Sequence, residues 1–283
     1  MGRPINFYLE RNNMKSWNLT IAIPGETCDK GCPYCISQIT GMVITNQGLI
    51  DNNVKFVKNF ARCAGAAVCT LTGKREPFLN YGAIIKMAKA FWPMLIEIQT
   101  NGIWLNKNQD RIPQLFTSGV RVVAFSVDTL ETIDEYKELF IALDKKGIVV
   151  RVCINLTDMI VGDFVTIFEM VKESPVRQFL IRNVTFPGNA RKCSQVTWIK
   201  AHVDSERYRE MAYKFEENQV RLGKKPHTVL PYGMKIWEKD GISIAFSDYC
   251  IQEENNTSDV RSLVWLPDGH LYTGWGNRAT IIF

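Results

Sequence analysis

Short runs rich in Val and Ile alternate along the chain with longer segments whose apolar residues recur at helical spacing. The runs Asn18–Ile23, Ala66–Leu71, Leu95–Gln99, Val120–Val127, Ile148–Asn155 and Gln178–Val184 read as strands, because strands of a buried parallel sheet are near-continuous apolar stretches. Between them the spacing predicts helices over Asn53–Cys63, Tyr81–Phe91, Gln109–Thr117, Ile133–Lys146 and Phe164–Lys172. In the fourth of these, Ile133, Tyr136, Leu139, Phe140 and Leu143 share one face, and Asp134, Lys137, Glu138 and Asp144 point largely away from it. Gly119 and Gly147 stand where helix C-caps are expected. Strand and helix in alternation predict an α/β fold with a parallel sheet and crossover helices, six units in all.

From Asp204 the pattern changes. A highly charged helix is expected over Ser205–Lys225, followed by short strands punctuated by Asp240-Gly241 and by Pro267-Asp268-Gly269 in the hairpin-like stretch VWLPDGHLYTGW. The sequence therefore divides into residues 1–203, a core with an N-terminal lead-in, and residues 204–283, a small α+β appendage. There is no solenoid-type repeat and no linker of disordered composition.

The 283 residues are 46% hydrophobic and 22% charged, enough to build a full core. No apolar run approaches the roughly 18 to 20 residues of a membrane-spanning helix, and charges fall where the apolar stretch of a secretory signal would sit. A cytoplasmic protein without a membrane partner is expected. The net charge of +5 tolerates an anionic partner without demanding one, so nucleic acid is not excluded. Cysteine changes the picture most. Eight cysteines without an export signal argue for metal or redox chemistry over a disulfide framework. Cys63, Cys69, Cys153, Cys193 and Cys250 are isolated and read as small hydrophobes.

The other three form Cys28-Asp-Lys-Gly-Cys32-Pro-Tyr-Cys35, a C-x3-C-x2-C loop directly after the first strand and its Pro24-Gly25 turn. Three thiolates can hold three irons of a four-iron cube and leave the fourth open to a small chelating ligand. The other reading is part of a zinc knuckle, completed at long range by Cys63 or by one of His202, His227 and His270.

On this loop, with Tyr34 as the aromatic before its last cysteine, the sequence resembles the radical S-adenosylmethionine (SAM) superfamily. The resemblance spans residues 18 to 190 and implies a (β/α)6 partial barrel with one [4Fe-4S] cluster on Cys28, Cys32 and Cys35. It implies SAM chelated at the open iron and cleaved reductively to a 5′-deoxyadenosyl radical, which abstracts hydrogen from a substrate. Thr72-Gly73-Lys74-Arg75-Glu76-Pro77 is similar to the superfamily's G-G-E-P motif, with Arg75 where a glycine is usual, and implies Gly73, Lys74 and Glu76 as SAM contacts. Gln99-Thr100-Asn101-Gly102 and Phe125-Ser126-Val127-Asp128 resemble two further strand-end motifs and add Thr100, Asn101, Ser126 and Asp128. Asn155 and Arg182, at the ends of the fifth and sixth strands, complete the candidate set with Tyr34, because active sites of barrels gather at strand C-termini.

Within the superfamily the order of motifs looks nearest to the branch holding the molybdenum-cofactor enzyme that rearranges GTP and peptide-modifying enzymes with cysteine-rich extensions. Thr273-Gly274-Trp275 stands where such an extension would place a cluster cysteine. The appendage therefore lacks ligands for an auxiliary cluster. The expected substrate is a small molecule of nucleotide-like character, and the expected partner a reductase or a flavodoxin- or ferredoxin-type electron donor. Modification of a peptide, protein or tRNA is the alternative, and a non-catalytic iron-sulfur or zinc protein is the alternative from another class. Tyr232, Trp237, Tyr249, Trp265, Tyr272 and Trp275 read either as a shield for a radical or as a satellite core.

Overall fold

The computed structural model describes residues 14–41, 43–186, 190, 192–230, 233–248, 259–275 and 281–283. Tyr232, Tyr249 and Cys250, named above, lie outside the described residues. Among the described residues eleven strands form one sheet in the order β11-β10-β1-β2-β3-β4-β5-β6-β9-β8-β7. They are β1 (Lys15–Ile23), β2 (Val68–Gly73), β3 (Leu95–Thr100), β4 (Val120–Val127), β5 (Val149–Leu156), β6 (Gln178–Asn183), β7 (Thr228–Val229), β8 (Lys235–Lys239), β9 (Ile242–Ser247), β10 (Asp259–Trp265) and β11 (Leu271–Tyr272). Strands β1 to β6 lie side by side in chain order and all parallel. The chain is therefore α/β with a large, mostly parallel sheet.

The strands beyond residue 203 join this same sheet at both sides. β9 runs parallel to β6 and β10 parallel to β1, so each covers a strand whose backbone would otherwise stand unpaired. β8 pairs antiparallel with β9 across Asp240 and Gly241, both with positive φ (53° and 78°), the backbone a two-residue hairpin turn needs. β10 and β11 form the expected hairpin, with Gly269 at φ 86° in its turn.

The helices are α1 (Ile36–Thr40), α2 (Gln47–Cys63), α3 (Tyr81–Phe91), α4 (Ile103–Lys107), α5 (Ile112–Thr117), α6 (Glu131–Glu135), α7 (Lys137–Lys145), α8 (Phe164–Lys172), α9 (Ser194–His202) and α10 (Ser205–Arg221). α2 starts six residues before its apolar pattern does, because the Asn46 side chain accepts from the Leu49 amide and caps it. The segment read as Ile133–Lys146 divides into α6 and α7 at Tyr136. Among the described residues, no helix is long and apolar enough to cross a membrane.

The two faces of the sheet differ. Leu19, Ile21, Cys69, Leu71, Ile96, Ile98, Phe125, Val152, Ile154 and Phe179 pack with helix residues such as Phe60, Ile84, Leu139 and Phe168 into one continuous core. Alternate positions carry polar side chains that partner one another. Asn18 donates to Thr70 at 3.2 Å, Thr20 and Ser262 share a hydrogen bond of 2.7 Å, and Arg151 meets Glu97 at 2.6 Å and Gln178 at 2.7 Å. The near-continuous apolar character expected of the strands thus holds on the helix-covered face, while the other face mixes these polar residues with buried apolar ones such as Ala22, Ala124, Cys153 and Val264. The polar positions are tolerated because each bond replaces water lost on burial.

Candidate active site at the strand C-termini

With β1 to β6 parallel, their C-terminal ends share one edge of the sheet, where polar groups of neighbouring strands converge. The cysteine loop leaves β1 at this edge. Its backbone turns so that the Cys35 amide donates to the Cys32 carbonyl at 3.2 Å, and Cys35 opens α1 by accepting from Gln38 and Ile39. Cys28 is exposed, and Cys32 and Cys35 are half-buried. Burial pushes the Cys28 thiol up, while the backbone amides of Lys30 and Glu76, both donating to its sulfur, oppose the rise. Burial, with Asp128 second, pushes the Cys32 thiol from the usual 9.0 up to about 12. Cys32 also feels Cys28 and Cys35, so the three sulfurs share one neighbourhood.

The donor set suits a three-thiolate cluster: one loop, three sulfurs, and amides aimed at one of them. Among the described residues no group of three or more Cys, His, Asp or Glu side chains is gathered closely enough to hold a metal ion. Of the histidines named for a zinc knuckle, His202 meets Asp158 at 2.7 Å and His270 the Phe283 carbonyl at 2.9 Å, each through Nδ1.

Asp128, just past β4, is the hub facing this loop. Its carboxylate pairs with Lys30 at 2.5 Å and accepts from the Tyr34 hydroxyl, and the Cys32 thiol points at it from 3.9 Å. Asn155 on β5 donates to the Tyr34 oxygen at 3.1 Å and to Asp128 at 3.3 Å. Burial and the adjacent carboxylate raise the Tyr34 phenol far above its usual range.

Glu76 is the second hub. It caps the 3-10 turn Pro77–Asn80 by accepting from the Phe78 amide at 3.0 Å, and it takes the Thr100 hydroxyl at 2.7 Å and the Asn101 amide at 2.9 Å. Asn101 in turn donates to Asp29 of the cysteine loop at 2.7 Å. Burial raises the Glu76 pKa against these three donors. Gly73 is demanded by the path of the chain, since a Cβ there would lie 2.5 Å from the Arg75 carbonyl oxygen. The departure at Arg75 is thus accommodated by a loop that folds back on Gly73.

Lys74 is buried and holds the end of α1, donating to the Thr40 hydroxyl at 2.8 Å and the Gly41 carbonyl at 3.1 Å. Burial lowers its pKa. Ser126 and Arg182 lie half-buried on the ends of β4 and β6. The structure therefore brings Tyr34, Glu76, Thr100, Asn101, Asp128 and Asn155 into contact around the cysteine loop, and directs Lys74 to α1. Sequence reasoning missed Asp29, Lys30 and Trp198, whose ring packs on Tyr34 at 5.6 Å. Nothing local marks these residues, because each partner is remote in the chain. Trp237 and Trp265 pack in the main core and Tyr272 in a small cluster under the β10–β11 hairpin. Trp275 lies under the Lys74 ammonium, 5.6 Å from its ring centre.

No family model matches the chain, and no curated protein matches it in sequence. Solved structures do. Streptococcus suis SuiB bound to its precursor peptide SuiA superposes with a TM-score of 0.63 at 15% identity, over 98% of this chain and 64% of that one. SuiB bound to S-adenosylmethionine superposes at 0.58 and 14% over the same shares, and SuiB alone at 0.56 and 13% over 96% and 63%. This chain thus spans less than two thirds of the length of the structures it matches, and at these identities the likeness is one of fold.

Proposed function

We propose that this chain is a radical SAM enzyme that acts on a peptide. The observation that carries the reading is the three-cysteine loop braced against two carboxylate hubs, Glu76 and Asp128, at the strand C-termini. Cys28, Cys32 and Cys35 would hold one [4Fe-4S] cluster. When bound, that group supplies the electron that breaks the sulfonium S–C5′ bond of SAM and frees a 5′-deoxyadenosyl radical. The chain's own task is to hold the reactants and keep water away. Glu76 offers a buried negative charge suited to the methionine ammonium, and its three bonds keep the Gly73–Glu76 loop and the Thr100–Asn101 turn in register. Asp128, Asn155, Ser126 and Arg182 supply polar groups on the adjoining strand ends. A reductase, flavodoxin or ferredoxin would deliver the electron.

The peptide reading takes precedence over the small-molecule one because the matching fold is that of SuiB, seen bound to its precursor peptide in one structure and to SAM in another. No comparison favours a nucleotide. The boundary near residue 203 stays part of the proposal only as a point along the chain, since the strands after it extend both edges of the one sheet.

Anaerobic reconstitution, reduction with dithionite and measurement of 5′-deoxyadenosine test the chemistry. About four irons per chain and SAM cleavage are expected, with cleavage lost in Cys28→Ala, Cys32→Ala and Cys35→Ala. About eight irons, or turnover retained in all three variants, would overturn the assignment. Cys193→Ala should keep both iron and cleavage, and loss of the cluster there would give the iron a fourth protein ligand. A peptide pool should raise 5′-deoxyadenosine formation above the uncoupled rate where a nucleotide pool does not. The reverse result restores the small-molecule reading.

A further inference from the structure

We infer that Tyr34 and Trp198 are positioning residues that latch the cysteine loop to the sheet. This rests on the reading of that loop as the cluster site, although the latch itself is a property of the protein without metal. The apolar anchor of the loop is separate from the main core. Ile39 of α1 is buried in a cluster with Val184, Val196 and Ile199, and two of these four belong to α9. Gln195 of α9 also bonds Gln38 of α1. α9 is therefore the element against which the cysteine segment seats.

Tyr34 joins that anchor to the strand ends. Its ring lies 5.6 Å from Trp198, tilted by 39°, while its hydroxyl donates to Asp128 and accepts from Asn155 at 3.1 Å. Trp198 is fixed from behind. It stacks on His202 at 4.4 Å, His202 pairs with Asp158 at 2.7 Å, and the Asp158 amide donates to the His202 carbonyl at 2.9 Å. A continuous series of contacts thus runs from the connection after β5, through α9, to Tyr34, one of the two residues between Cys32 and Cys35. Because Tyr34 sits between those two cysteines, the orientation of its side chain governs where two of the three sulfurs stand. Tyr34 was expected as a SAM contact, and this geometry gives it a structural task in addition.

The test uses metal-free full-length protein and per-residue labelling by iodoacetamide, read by mass spectrometry at one pH. Tyr34→Phe keeps the ring and removes the hydroxyl, Trp198→Ala removes the ring, and Trp198→Phe restores an aromatic face. Local opening of the loop predicts that Tyr34→Phe and Trp198→Ala each raise labelling of Cys32 and Cys35 about tenfold. Trp198→Phe should return most of it, and the fully buried Cys69 and Cys153 should stay protected in every variant. Unchanged Cys32 and Cys35 rates in Tyr34→Phe would overturn the latch. So would a parallel rise at Cys69 and Cys153, since the whole fold would then be opening. A chain that shows these rates but never takes up iron keeps the latch and loses the functional reading.

Discussion

The main core and the small cluster beneath the cysteine loop are built by different rules. In the main core Phe125 is fully buried, its ring centre 4.9 Å from Phe140 and 6.0 Å from Tyr136, and the neighbouring strands bury Ile98 and Val152 in the same core. The loop's cluster has four buried residues, Ile39, Val184, Val196 and Ile199, and depends for the rest of its hold on polar bonds between Tyr34 and both Asp128 and Asn155, and between Asp29 and Asn101. A segment held this way can open for a few kcal/mol while the sheet stays folded. That is the property a ligand loop requires if it is to accept an inorganic group after the chain has folded.

The sharpest way to break this comparison is to cut into each region. Phe125→Ala should lower the free energy of unfolding in urea by about 3–5 kcal/mol, and a loss below about 1 kcal/mol would mean the main core is not the unit it looks like. Glu76→Gln, at the junction of the two regions, should cost about 1–3 kcal/mol, because an amide in place of one oxygen turns a donor toward the donor it used to accept. The same variant changes the pH dependence. Burial holds the Glu76 pKa above the ordinary 4.5, so the folded state keeps this proton to higher pH than the unfolded chain. Its contribution to stability is full below about 4.5 and is lost as pH rises through the raised value. Wild-type stability should therefore fall relative to Glu76→Gln over that window.

Ile39→Ala tests the smaller region. Its cost should appear as faster proteolysis within residues 24–41, with a shift of less than about 1 kcal/mol in global unfolding. A shift as large as that of Phe125→Ala would merge the two clusters into one. The smallest effect is kinetic. Only thiolates react with alkylating reagents, and the Cys32 thiol is pushed to about 12, so its labelling should still be climbing at pH 10 rather than levelling off near the ordinary 9.0.

The strands β1 to β6 were legible to within a few residues, and β4, α3 and α8 at both ends, because burial against the sheet imposes a period that any single segment displays. The cysteine loop and the strand-end residues Glu76, Thr100, Asn101, Asp128 and Asn155 were legible as residue types at strand ends. Their partners were not. Asp29 meets Asn101 and Lys30 meets Asp128 only because loops after different strands fold to the same edge. α9 escaped notice because only Val196 and Ile199 of its nine residues are buried, too few to make a periodic stripe.

Alternation of Val- and Ile-rich runs with helical faces determined the α/β class, and the spacing of Cys28, Cys32 and Cys35 determined the candidate chemistry, since both are written in neighbours along the chain. Tertiary structure alone decided that residues beyond 203 extend the same sheet at both sides, that alternate strand positions bring polar side chains together on the second face, and that Trp198 secures Tyr34. These depend on pairing between residues far apart in sequence, where a side chain's partner is chosen by the packing of the whole sheet and leaves no local trace.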